Sequence, residues 1–291
     1  MTSLHESVCM KSSKSLHSPI LIDTHCHINM MVKSTFDVLL NPEEVTAAHT
    51  IVQEAADQDI KILINVGTAP IENQNCITLA QTNKNLWATI GIHPNDLQDS
   101  WKQDIHNFEN ILKNKKNLKI IGIGEVGLDY HYPNYDKKRQ TAAFIMQIEC
   151  ALAHDLPLII HTRDAQDDVL TILKNYQCPQ LRGIIHCFSE DMAFAQKALE
   201  LEFVLGIGGP LTYPKNNALR EIFTTIPLNK IVLETDAPFL PLQEMRGRQN
   251  HPRHIKAIAQ YLANLRGISF EEIATTTTQT ALNLFRLYGQ N

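Results

Sequence analysis

Histidine and acidic residues that could bind a metal ion recur along this chain, each at the end of a short apolar segment. Imidazole and carboxylate groups together bind borderline divalent cations such as zinc or manganese, and such cations can activate water for hydrolysis. The sequence therefore predicts a metal-dependent hydrolase acting on ester bonds. The candidate ligands are His25, His27, Glu125, His161, His186 and Asp236.

Two of these residues form a His-x-His pair at the end of the first apolar segment. In an extended strand, side chains two residues apart point to the same face, with their Cα atoms about 7 Å apart. We therefore expect His25 and His27 to bind one ion together, whereas Cys26 points the opposite way and should pack in the core.

Glu125 is the candidate for a carboxylate that bridges two cations, because two-metal sites hold their ions about 3.5–4 Å apart. Glu125 and Asp236 are the predicted catalytic residues, and Asp236 is assigned the role of proton acceptor from the attacking water. The predicted cofactor is two divalent cations per chain, from among Zn, Mn, Mg, Co and Ni. The remaining ligands divide into His25, His27 and Asp236 for the first cation, and His161 and His186 for the second.

Each candidate taken alone has an ordinary structural explanation. A single histidine at a strand end is more often a hydrogen-bonded structural residue than a ligand, and Asp236 has the position of a helix N-cap. All six candidates, however, follow apolar segments at the same end. Because parallel strands in a barrel bring those ends together, the six residues jointly favour a metal site.

Eight short apolar segments alternate with amphipathic ones from Pro19 to the end of the chain. Strands that are apolar on both faces are typical of a parallel sheet covered by helices, so the pattern predicts an α/β protein with a (β/α)8 TIM barrel. A doubly wound open sheet is the alternative, but it would not place the first strand beside the eighth. The predicted strands are residues 20–25, 60–67, 86–92, 118–125, 157–161, 183–187, 202–207 and 230–235.

Composition argues against several classes of protein. Of 291 residues, 44% are hydrophobic and 20% are charged, and no apolar run approaches the roughly 20 residues of a membrane span. The net charge of −5 argues against coating nucleic acid through an overall positive field. Six cysteines without a Cys-x-x-Cys pair indicate reduced thiols and a cytoplasmic location. Polar residues 1–18 are predicted to be a disordered extension before a single domain, residues 19–291.

Six segments in this order resemble the signature segments of the TatD family of metal-dependent hydrolases: IDTHCH, GIHPND, GEVGLDYHY, IIHTRDA, HCFS and LETDAPFL. The resemblance runs from about Ile20 to the C-terminus. It implies an amidohydrolase-like (β/α)8 barrel, the same division of ligands between two metals, and deoxyribonuclease activity. It also implies a DNA substrate, cleaved by metal-activated water and attacked at strand ends.

Four further residues are candidate substrate contacts: His93, Arg163, Arg248 and Asn250. A structural hydrogen bond is the alternative for His93, and a surface ion pair is the alternative for Arg163. Family members often read G-K-x-N-E-P where this chain has residues 247–252, so His251 stands in place of an acidic residue. This departure leaves the metal ligands unchanged and concerns substrate contacts only.

Two other functions remain open from the sequence. A small-molecule amidohydrolase or esterase would use the same metals in a closed pocket, whereas a nuclease needs an open, basic groove. A metal-binding or nucleic-acid-binding barrel without catalytic activity is the third possibility, and the complete ligand set argues against it.

Overall fold

The computed structural model describes residues 19–35 and 37–287, so the predicted disorder of residues 1–18 lies outside the described residues. Eight parallel strands form one sheet in sequence order. The domain boundaries proposed from the sequence stay a prediction. The strands are β1 (Leu21–Cys26), β2 (Ile60–Val66), β3 (Leu86–Ile90), β4 (Ile120–Asp129), β5 (Leu158–Arg163), β6 (Gly183–Ile185), β7 (Phe203–Ile207) and β8 (Ile231–Leu233).

The sheet curves until its first and last strands meet. The backbone N–H of Asp236 donates to the carbonyl of His25 at 2.9 Å, and that of His27 donates to the carbonyl of Ala237 at 2.7 Å. These bonds join β1 to the segment that follows β8. The result is a nearly closed (β/α)8 barrel, which confirms the fold predicted from the alternating apolar segments.

Helices surround the sheet and connect its strands. Four of those in the described residues begin at side-chain caps: Asn41 and Glu44 form a reciprocal capping box, and Asp136, Asp191 and Ser269 each accept from the backbone N–H three residues further on. The helices are α1 (Ile28–Met31), α2 (Pro42–Ala56), α3 (Pro70–Thr82), α4 (Trp101–Leu112), α5 (Lys137–Ala153), α6 (Gln166–Asn175), α7 (Met192–Glu200), α8 (Asn217–Thr225), α9 (Ile255–Arg266) and α10 (Phe270–Phe285).

The apolar residues form two separate cores. The larger lies between the sheet and the surrounding helices. The smaller fills the barrel, and Leu284 and Phe285 near the end of α10 pack against it. Branched side chains are typical of barrel interiors. The barrel residues of the smaller core are Ile22, Ile64, Val66, Ile121, Ile159, Ile184, Val204 and Val232.

β4 differs from its prediction in a way that matters for the site. The sequence predicted that this strand ends at Glu125, but it continues to Asp129. Its pairing with β5 is irregular between Ile123 and Val126, and such irregularities redirect side chains at barrel rims. Glu125 therefore lies inside the strand.

No helix in the described part of the chain combines the length and apolar character needed to span a membrane.

Asp23 helps to close the barrel, and its removal should destabilise the fold. Its fully buried carboxyl group accepts from the N–H and hydroxyl of Thr235 at 3.0 and 2.6 Å, and from the N–H of His25 at 3.2 Å. Asp23→Ala would leave these buried donors without an acceptor. We expect the free energy of unfolding to fall by about 3 kcal/mol or more, measured by urea titration.

A matched surface variant controls for the loss of a carboxylate. Glu200 is exposed at the end of α7, so Glu200→Ala should change the free energy of unfolding by less than about 0.5 kcal/mol. Equal stability of Asp23→Ala and the wild type would contradict the proposed contribution of Asp23 to barrel closure.

Candidate metal centre

Four side-chain atoms converge at the mouth of the barrel. The Nε2 atoms of His25 and His27 lie 3.0 Å apart. Glu125 Oε2 lies 3.4 and 3.6 Å from these two nitrogens, and Asp236 Oδ1 lies 3.6 and 3.4 Å from them. Ligand atoms bound tetrahedrally at about 2.1 Å stand roughly 3.4 Å from one another. The four groups therefore fit the coordination of one divalent cation.

The other oxygen of Glu125 faces a second group of imidazoles. Glu125 Oε1 lies 3.0 Å from His161 Nδ1, 3.7 Å from His93 Nε2 and 3.9 Å from His186 Nε2. His93, Glu125 and His161 thus form a second candidate ligand group beside the first. The structure brings together all six ligands predicted from the sequence, and it adds His93 to them.

Two buried carboxylates that the sequence analysis missed hold these histidines. Asp129 Oδ2 lies 3.1 Å from His161 Nε2, and Glu234 Oε1 lies 2.9 Å from His186 Nδ1. Carboxylates that contact a ligating imidazole orient its ring and tune its basicity. Both residues are acids beside an apolar segment, so the sequence contained a signal that could have identified them.

Gly206 provides the space that Glu234 needs. A Cβ atom on Gly206 would stand 2.3 Å from Glu234 Oε2, which is closer than any contact between such atoms. A side chain at this position in β7 would displace the carboxylate, and His186 would lose its partner.

The charges of the site match the chemistry of a cation site. Burial raises the pKa of Glu125, but the neighbouring His93, His161 and His25 outweigh burial and hold it well below its usual value. Asp236 behaves in the same way, chiefly through His27. Both carboxylates are therefore ionised near neutral pH and able to bind a cation.

The imidazoles facing these carboxylates hold protons that a cation must displace. Burial lowers the pKa of His161, but Asp129 and Glu125 raise it to about 9. Burial likewise opposes protonation of His186, but Glu234 and the other nearby carboxylates raise its pKa to about 10. An imidazole binds a metal ion only in its neutral form, so protons and cations compete for these two side chains.

This competition predicts a pH-dependent metal affinity. Below the raised pKa values each bound proton must leave before the cation binds, so affinity increases as pH rises towards 9. Because binding of the cation releases one proton from each of the two histidines, the apparent dissociation constant of the cation should fall about 100-fold for each unit by which the pH rises. Competition with a chelator at several pH values between 6 and 8 measures this slope, and an affinity independent of pH would contradict it.

A cavity of about 590 Å³ opens above the ligands. Two of the predicted substrate contacts, His93 and Arg163, line it. Arg248 is exposed but is not among the lining residues, and Asn250 is almost fully buried. Asn250 Nδ2 donates to the carbonyl of Thr235 at 2.7 Å. The structure therefore places Arg248 and Asn250 away from the cavity wall, and Asn250 holds the loop that follows β8.

Exposed aromatic side chains at this mouth were also missed from the sequence. Phe239, which is 47% exposed, lines the cavity, and its ring centroid is 6.0 Å from that of His27. Tyr132, which is 53% exposed, has the Arg163 guanidinium 5.7 Å from its ring centroid. An exposed aromatic residue carries no strand or helix periodicity, so only the fold reveals its position.

Comparisons with known proteins agree with this geometry. The family model described as TatD related DNase matches residues 22–286. The "uncharacterized metal-dependent hydrolase YabD" of Bacillus subtilis is 33% identical over 268 residues, which cover 92% of this chain and 100% of that protein. The "3'-5' ssDNA/RNA exonuclease TatD" of Erwinia amylovora is 31% identical over 245 residues, which cover 82% of this chain and 92% of the relative.

A solved structure extends the likeness to three dimensions. The crystal structure of YjjV from Escherichia coli K12, described as a TatD homolog, superposes with a TM-score of 0.81. The two chains are 28% identical, and the match covers 91% of this chain and 98% of the other.

Proposed function

The chain belongs to the TatD family of metal-dependent hydrolases, and from that premise we propose that it is a deoxyribonuclease. It cleaves phosphodiester bonds by attack of water and acts from the ends of DNA strands. Two divalent cations would serve as cofactors, the first held by His25, His27, Glu125 and Asp236 and the second by Glu125, His161 and His186, because each oxygen of Glu125 faces its own group of imidazoles. The cytoplasmic location indicated by the cysteines stays a prediction.

One observation carries the choice of a nucleic acid as substrate. Arg163 and Phe239 line the same cavity as Glu125 and Asp236, and Tyr132 packs beside Arg163. Guanidinium groups bind phosphate oxygens through two parallel hydrogen bonds, and exposed aromatic rings stack on unpaired bases. A cation and aromatic faces beside a hydrolytic site therefore suit a single-stranded end.

The named activity of one relative supports the same proposal. The Erwinia amylovora protein is named as an exonuclease of single-stranded DNA and RNA, and it aligns with most of this chain. Residues 247–252, where His251 departs from the family pattern, form a loop whose Arg248 is not among the cavity-lining residues. The departure at His251 therefore leaves this proposal intact.

The side chains of the site suggest how hydrolysis proceeds. When bound, divalent cations lower the pKa of water and neutralise charge on the phosphate. Asp236 accepts the proton of the attacking water, because its carboxylate is ionised and its side chain reaches the cavity. Arg163 binds a non-bridging phosphate oxygen, and Phe239 stacks on the terminal base and so positions the scissile bond.

Hydrolysis of a small molecule is the second candidate function, and the size of the cavity favours it. Its volume of about 590 Å³ falls within the range of roughly 300–1,000 Å³ typical of small-ligand pockets. Asp96 also lines it, and burial together with nearby carboxylates raises the pKa of Asp96 to about 6. An acidic group in this position would repel a phosphate backbone above pH 6.

The decisive experiment offers both kinds of substrate to one preparation. Protein loaded with Mg²⁺, Mn²⁺ or Zn²⁺ is incubated with end-labelled single-stranded DNA, duplex DNA and single-stranded RNA, and separately with a panel of esters and amides. We expect progressive shortening of single-stranded DNA from one end. Turnover of the small-molecule panel without cleavage of DNA would reject the proposal in favour of the second candidate.

Two variants separate this activity from that of a contaminating nuclease. His161→Ala should abolish cleavage, because it removes a ligand of the second group. Phe239→Ala should raise KM for DNA much more than it lowers kcat, because it removes stacking but no ligand. Cleavage that is unchanged in His161→Ala would belong to another protein.

A further inference from the structure

A second cluster of potential metal ligands lies on the outside of the barrel. It consists of Glu109 on α4 and of Cys150 and His154 on α5 and its C-cap. One ligand atom from each of the three residues lies within 4.8 Å of the others, and His154 Nε2 is 2.9 Å from Glu109 Oε2. None of these residues lines the cavity at the barrel mouth.

The cluster lies at the opposite end of the molecule from the candidate metal centre. α5 ends at Ala153 and β5 begins at Leu158, so His154 stands near the end of the barrel where strands begin. The active sites of such barrels lie where strands end. The cluster is therefore independent of the hydrolytic site.

We propose that Glu109, Cys150 and His154 form a separate site for a zinc-like divalent cation. Thiolate, imidazole and carboxylate are the three groups by which proteins bind zinc, and three protein ligands leave one position for water. Cys150 and His154 are four residues apart, which places their side chains on one face of the helix end. Glu109 supplies the third ligand from α4, so the ion links two neighbouring helices.

Burial and charge of the three side chains suit such an ion. Cys150 is 7% exposed, whereas the side chains of His154 and Glu109 are 18% and 47% exposed. A cation can therefore enter from solvent and rest against a buried sulfur. Burial, and after it the charge of Glu109, raises the pKa of Cys150 to about 12. A bound cation reverses this effect and deprotonates a coordinating thiol.

The alternative is a plain surface ion pair between Glu109 and His154 above a packed thiol. Cobalt(II) distinguishes the two, because thiolate coordination gives an intense charge-transfer band in the near ultraviolet. We expect Co²⁺ added to the full-length protein to produce this band in the wild type and in Cys178→Ser and Cys187→Ser. Cys150→Ser and His154→Gln should lose it.

Cys187 is included because it lines the main cavity, so a band from the candidate metal centre would vanish in Cys187→Ser. Absence of the band in the wild type, or its persistence in Cys150→Ser, would overturn the proposal.

Metal content and activity provide a second test that does not depend on a substituted cysteine. Glu109→Gln keeps the size of the side chain but weakens the site, and Glu109 is half-exposed, so the variant should fold. After equilibration with Zn²⁺ and removal of free ion, elemental analysis should find one zinc per chain fewer than in the wild type. Hydrolytic turnover should stay the same. Equal zinc content in both proteins would refute the site.

Discussion

Glu125→Gln should lose at least one of the two cations proposed for the candidate metal centre and nearly all hydrolytic activity. Glutamine has the same shape, but only one of its two terminal atoms can bind a cation, whereas Glu125 presents one oxygen to His25 and His27 and the other to His161. Loss of a group that merely contacts a ligand costs about 10–100-fold. Loss of the shared ligand should therefore lower kcat by more than about 1,000-fold.

Elemental analysis and steady-state kinetics on one preparation measure both effects. Glu149→Gln is a suitable control, because Glu149 accepts a hydrogen bond from the exposed hydroxyl of Tyr176 and lies outside the described cavity lining. The control should keep wild-type metal content and kcat. Metal content and turnover equal to those of the wild type in Glu125→Gln would show that this carboxylate does not join two metals.

The barrel was predictable from the sequence because its strands are short, apolar on both faces and regularly spaced. The same regularity placed the candidate ligands: a histidine or acid at the end of an apolar run lies at the rim of any parallel barrel. His25 and His27 needed only the two-residue period of a strand to be placed side by side, and their Nε2 atoms lie 3.0 Å apart. These predictions depend on local pattern and general topology alone.

Other parts of the site depend on contacts between distant segments, which a single sequence does not show. Glu125 reaches the two imidazole groups from inside β4, at an irregular pairing with β5. Asp129 and Glu234 gain their roles from histidines 32 and 48 residues away. Asn250 was predicted to contact the substrate, yet its side chain is buried and its amide donates to the carbonyl of Thr235.

Helix α3 shows that contacts between distant segments also limit the prediction of secondary structure. Three polar residues of this helix are buried, Glu72, Asn73 and Asn75, so its pattern is weakly amphipathic. Glu72 accepts from Lys33 and from Asn29, and Asn73 donates to the carbonyl of Gly91 at 3.0 Å. The sequence predicts a helix over residues 71–83, close to the observed bounds, but such a buried polar network hides one helix face from hydrophobic periodicity.

Asp236→Asn should keep the fold and part of the metal but lose nearly all turnover. Asp236 has a φ of 57°, a left-handed conformation that asparagine tolerates better than most residues, so the backbone should not change. The amide oxygen can still occupy the position of Oδ1 near His25 and His27. It cannot accept a proton from water, and loss of a general base typically costs about 100- to 10,000-fold in kcat.

Asp164→Asn is the matched control for this variant. Asp164 also has a positive φ, of 53°, and its carboxylate pairs with His131 at 2.8 Å outside the cavity lining. If the loss of turnover in Asp236→Asn arose from a change in the backbone, Asp164→Asn would lose stability in the same way. If it arises from the missing base, only Asp236→Asn loses turnover, and its activity should not recover when metal is added in excess. Normal turnover in Asp236→Asn would instead mean that another group takes the proton.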